Sequence, residues 1–103
     1  MLWLRSELFT ATDGHLILSW PDADFTYWNL LCTWLRVKHG LRKRGQPIVS
    51  FDDVILPDLV GNGVHLASGW DCWIGYHLLA KDRASDDFLR LFSGKEITQG
   101  FHR

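Results

Sequence analysis

The sequence predicts an α+β domain: a mostly antiparallel sheet of about five strands with two helices packed on it, in the order β-β-α-β-β-β-α. Three observations carry this expectation. Apolar residues recur at helical spacing in one long and one short stretch, and at strand spacing elsewhere. The strand stretches are joined by hairpin-length connections, including Asp13-Gly14 and Gly61-Asn62-Gly63, which favour antiparallel neighbours. A length of 103 residues, 47% hydrophobic and 22% charged, suits one domain over 1–103 with a core of its own.

Leu2 to Phe9 and His15 to Trp20 read as the first two strands, joined by Thr12-Asp13-Gly14-His15, where Asp-Gly tolerates the positive φ of a type I′ turn. Leu16, Leu18 and Trp20 alternate with Ile17, so either both faces of this hairpin are partly covered or its first strand is bulged. Pro21 ends the second strand. Asp22 or Asp24 caps a helix that runs to about His39, and Gly40 closes it. Phe25, Trp28, Cys32 and Leu35 form one helical stripe, broadened by Tyr27, Leu30, Leu31 and Trp34. Ile48 to Phe51 and Val54 to Leu56 read as strand, broken at Asp52-Asp53. Val64 to Ser68 and Cys72 to Ala80 are two further strands, connected by a turn at Gly69-Trp70-Asp71. The second of these is apolar on both faces and is expected in the centre of the sheet. Ser85 caps a last helix with Asp86 and Asp87 in its first turn and Phe88, Leu89 and Phe92 on its apolar side. Gly94 ends it, and 95–103 reads as a loose polar tail.

The net charge of −1 argues for no particular partner, but its distribution is uneven. Arg36, Lys38, Arg42, Lys43 and Arg44 lie in an acid-free stretch. From Gly45 to Ala80 there are Asp52, Asp53, Asp58 and Asp71 and no Lys or Arg. Cys32 and Cys72 make no disulfide framework and are expected as two reduced core thiols. Arg5 interrupts the N-terminal apolar residues too early for a secretory signal, and no stretch is long enough to span a membrane. These features point to a cytoplasmic protein.

The five histidines and two cysteines lack the close ligand pairs of a structural zinc site, so no metal is expected, and no cofactor motif is present. Cys72 has an acid and no cation beside it, the wrong setting for an activated thiol. The carboxylate pairs Asp22/Asp24 and Asp86/Asp87 are explained as helix-start acids, and Asp52/Asp53 as a turn or bulge. No catalytic residue is assigned. The basic stretch could meet phosphates, with Trp34 to stack on a base, or simply be a solvated helix end and loop. Among six Trp, Trp70 falls in the expected turn, where it either folds back on the core or contacts a partner.

The stretch Ser68-Gly69-Trp70-Asp71-Cys72-Trp73-Ile74-Gly75-Tyr76-His77-Leu78-Leu79, followed by Ser85-Asp86-Asp87-Phe88-Leu89, resembles the C-terminal half of some small bacterial immunity proteins. The resemblance implies a single-domain protein that binds and blocks a cognate toxin, often a basic nuclease, through an acidic or aromatic face. The expected function is therefore protein binding, with Asp52, Asp53, Asp58, Trp70, Asp71 and Trp73 as the contact residues and a basic toxin domain as the partner. A nucleic-acid module using Arg36, Lys38, Arg42, Lys43 and Arg44 is the first alternative. A small enzyme using Asp71, His65 or His77 is the second. A second copy of the chain is a further candidate for any exposed aromatic patch.

Overall fold

The computed structural model describes residues 4–93. The Leu2 start of the first strand, Trp3, the Gly94 stop and the polar tail lie outside them. The elements are β1 (Glu7–Thr10), β2 (Leu16–Trp20), α1 (Phe25–His39), β3 (Arg42–Arg44), β4 (Ile48–Val49), β5 (Asp53–Gly61), β6 (Val64–Asp71), β7 (Gly75–Ala80) and α2 (Arg83–Ser93). The class is α+β. Every described strand pairing is antiparallel. The sheet has seven strands, not about five, in the order β1-β2-β7-β6-β5-β3, with β4 also on β5.

Each hairpin follows from its turn residues. At the first, the Ala11 carbonyl accepts the Gly14 N–H, and only Gly14 has a positive φ (89°). That is a three-residue loop with a glycine bulge, not the expected type I′ turn. The type I′ turn lies between β5 and β6, where Asn62 (φ 53°) and Gly63 (φ 80°) are the two central residues. This turn also closes a helix. The Asn62 side chain donates to the His39 carbonyl at 2.8 Å, satisfying one of the last carbonyls of α1. Gly40 follows in the left-handed region at φ 69°. At the other end of α1 the cap is Asp24, whose Oδ1 accepts the Tyr27 N–H at 2.8 Å.

Both helices lie on one face of the sheet. Tyr27, Trp28, Leu31, Cys32 and Leu35 of α1 and Leu89 of α2 meet Leu8, Leu16, Leu18, Trp20, Leu59, Leu66, Leu78 and Ala80 of the strands. Trp28 stacks on Tyr76 with centroids 5.2 Å apart. Phe25, expected in this stripe, is instead 60% exposed at the helix start. The opposite face carries a smaller cluster of Phe9, Ala11, Ile17 and Ile74, with Leu79 against it. The doubly apolar hairpin is thus explained by a face toward each cluster.

The α2 cap differs from expectation. Asp82, not Ser85, is the capping residue: its Oδ1 accepts the Ser85 N–H at 2.9 Å. Ser85 is fully buried, and its hydroxyl accepts the His65 N–H at 2.7 Å. The Ser85 hydroxyl and N–H hold the Asp82 carboxyl below its usual range. Asp86 ties α2 to the first hairpin, accepting the Leu16 N–H at 2.8 Å and meeting His15 Nδ1 at 2.9 Å.

Candidate interaction surface

The turn after β6 redraws the expected site. β6 runs on through Trp70 to Asp71, and β7 begins only at Gly75. Asp71 Oδ1 accepts the N–H groups of both Trp73 and Ile74 at 2.8 Å, and Gly75 completes the turn at φ 77°. Trp70 is therefore a half-buried strand residue, in register with Val54 on one side and Tyr76 on the other. Trp73, expected inside a central strand, stands in the turn and is 79% exposed. Cys72 is exposed beside it rather than a core thiol. Cys32 is buried as expected, and burial pushes its thiol up to about 11 against the pull of Lys43 and Arg36.

A second turn lies at the same end of the sheet. The chain folds back between β4 and β5, where the Ser50 N–H donates to the Asp53 carbonyl at 2.9 Å. The expected broken strand is thus two antiparallel strands. Phe51 at the tip is fully solvated, and Ile48, Val49 and Ile55 are each more than half exposed. Asp53 and Asp71 pair directly across β5 and β6. Like charges in that position oppose strand pairing. Asp53 makes no side-chain hydrogen bond or ion pair among the described residues.

The structure therefore gathers Asp52, Asp53, Asp71 and Trp73 at one end, with Trp70 in the adjacent strand. It does not bring Asp58 there. Asp58 lies beyond a register shift between Leu56 and Leu59, and its Oδ2 meets His65 Nε2 at 2.7 Å. Sequence reasoning missed Ile48, Val49, Phe51 and Ile55 as surface residues. The available signal was an apolar run placed directly before Asp52-Asp53 in a chain with other strands to fill its core.

The basic stretch is divided rather than gathered. Arg42, Lys43 and Arg44, expected in a loop, form the exposed strand β3, which pairs with Val60, Leu59 and Asp58 of β5. Strand alternation sends Arg42 and Arg44 to one face and Lys43 to the other. Lys43 lines the cleft beneath Phe25 and Cys32. Arg36 and Lys38 belong to the last turn of α1, where their charge complements the negative end of the helix dipole.

Of the groups in the enzymatic alternative, His65 is engaged with Asp58 and Asp71 with its turn. His77 Nδ1 donates to the Gly75 carbonyl at 3.0 Å. Among the described residues, no three His, Cys, Asp or Glu side chains are grouped to hold a metal ion. No described helix is long and apolar enough to cross a membrane. No protein-family model, curated protein or solved structure matches the chain.

Proposed function

We propose that the protein is a cytoplasmic protein-binding domain that covers a basic surface of its partner, in the manner of a small bacterial toxin-immunity protein. One observation carries the reading: Phe51 and Trp73 stand in solvent on the two turns that flank the Asp53–Asp71 pair. Leaving such a side chain in water forgoes roughly 1.5–3 kcal/mol of burial free energy. Two of them beside exposed Val49 and Ile48 make a patch, not scattered surface residues. Aromatic anchors next to desolvatable charge are the usual composition of a binding hot spot. The absence of any Lys or Arg from Gly45 to Ala80 gives this patch one sign of charge, which favours a basic partner.

The test uses the product of the gene beside this one, purified and titrated calorimetrically against the chain. Wild type forms a complex and, on co-expression, restores growth to cells making that product. The Phe51→Ser, Trp73→Ser double variant keeps its circular dichroism and weakens binding about 100-fold. Absence of a complex, or full affinity in the double variant, overturns the reading.

A further inference from the structure

The open face of the sheet beside this patch carries a groove of about 260 Å³, bounded by Asp53, Ile55, Ala67, Gly69, Asp71, His77 and Leu79. Its construction follows from register. Asp53 faces Asp71, forming an acidic row. Ile55, Gly69 and His77 are successive partners across three strands and form the next row. Ala67 and Leu79 pair in a third, apolar row. Alternation places all seven on one face.

Gly69 is the floor, and it has no room for a larger residue. A Cβ there would lie 2.8 Å from the Val54 carbonyl oxygen and 3.3 Å from His77 Nε2. His77 is oriented for acceptance. With its Nδ1–H given to the Gly75 carbonyl, the neutral ring leaves Nε2 as an acceptor over Gly69. The same row continues to Ser19, whose fully buried hydroxyl has no hydrogen-bond partner among the described residues.

We infer that this groove receives the side chain of one arginine from the partner protein. The inference rests on the protein-binding reading above and names what that partner presents. The groove is smaller than the roughly 300–1,000 Å³ typical of small-molecule sites, so a single side chain fits it better than a free ligand. Ile55, Ala67 and Leu79 give an aliphatic stem an apolar bed. Asp53 supplies two free carboxylate oxygens, Asp71 Oδ2 a third, and His77 Nε2 a nitrogen acceptor. A guanidinium has five donors in one plane, whereas an ammonium has three on a point charge. The flat group lies over the glycine floor. Its charge relieves the Asp53–Asp71 repulsion that the free protein tolerates.

The probe is a capped Gly-Arg-Gly peptide added to ¹⁵N-labelled protein, with Gly-Lys-Gly and the citrulline peptide as controls. Amide shifts are expected at Ile55, Gly69, Asp71 and His77, at least about fivefold weaker binding for the lysine peptide, and none for citrulline. Asp53→Asn weakens arginine binding at least about fivefold and raises Tm, because it removes the like-charge pair. Shifts elsewhere, equal binding of citrulline, or unaltered binding by Asp53→Asn overturns the inference. The broader reading fails separately. If Asp53→Asn retains the neighbouring-gene product but the Phe51→Ser, Trp73→Ser variant loses it, the patch stands and the arginine groove does not.

Discussion

At the scale of single residues, much of the chemistry is carried by short polar side chains that hold backbone in place. Ser85 is the clearest case: buried completely, it serves the β6 backbone and the Asp82 cap at once. Ser85→Ala leaves the His65 N–H without its acceptor and should cost about 1–3 kcal/mol, read as a lower urea midpoint with unchanged slope. His15 is the pH-sensitive counterpart. Its hydrogen bond to Asp86 raises its pKa above 6.5, with Asp13 and Asp82 also favouring the charged ring and burial opposing them. A pKa raised by folding means stability that is fully present below about 6.5 and lost as pH rises through the folded value. Calorimetric Tm should therefore fall from pH 6 to pH 8 more in wild type than in His15→Gln. Equal slopes would assign the pH dependence elsewhere. Asp71 shows why residue identity alone misplaced the tryptophans. It was read as the end of a turn at Gly69-Trp70-Asp71, but it ends β6 and its carboxylate holds two N–H groups of the turn that follows. The Asp-x-x-x-Gly spacing was the readable sign. The apolar Cys72-Trp73-Ile74 concealed it by imitating strand.

At the scale of elements, α1 and the β5–β6 and first hairpins were legible because caps and turn residues agree with periodicity there. Asp24, Gly40, Asn62 and Gly63 each do what their chemistry favours. β3 was not legible, because Arg42-Lys43-Arg44 has the composition of a solvated loop. It is an edge strand, and that composition suits an edge. Exposed cations discourage another chain from adding to the unpaired side, and Pro47 interrupts the line before apolar Ile48. The double variant Arg42→Val, Arg44→Val should consequently give a higher mass than wild type by light scattering at equal concentration. Identical masses would leave Arg42 and Arg44 without this role. β5 was legible only in part. Pro57 sits inside it at the register shift, where the Ser68 hydroxyl donates to its carbonyl at 2.7 Å. Periodicity cannot follow a strand through such a shift, so the facing of Asp58 was lost.

At the scale of the whole molecule, the two helices lie on one face, and among the described residues the other face of the sheet carries a small apolar cluster and the groove. The α+β class could be read from element order, but which face stays open depends on how α1 and α2 return to the sheet. Strand order likewise depends on distant pairing, which local patterns do not encode. The acidic character of residues 45–80 was visible in the sequence. Its division between a paired Asp58 and an unpaired Asp53 was not. If the patch and groove act together, the partner's contact is electrostatic at one row and apolar at the next. Affinity for the neighbouring-gene product should then decrease with salt but not vanish at 1 M, where exposed charges more than about 3 Å apart are largely screened.

The seam between β2 and β7 has a consequence for how the chain is made. Ile17 pairs with Leu79 and Trp20 with Tyr76, so the first hairpin finds its sheet partner only when nearly all described residues have left the ribosome. Until then β2 has β1 on one side only, and Leu18 and Trp20, both buried at the end, lack their β7 partners Leu78 and Tyr76. The β5–β6 hairpin is built from neighbours in sequence and can form before β7 joins it. A released chain truncated before Gly75 would thus hold a finished hairpin and an unclosed N-terminal edge, the state in which this protein is most exposed to aggregation.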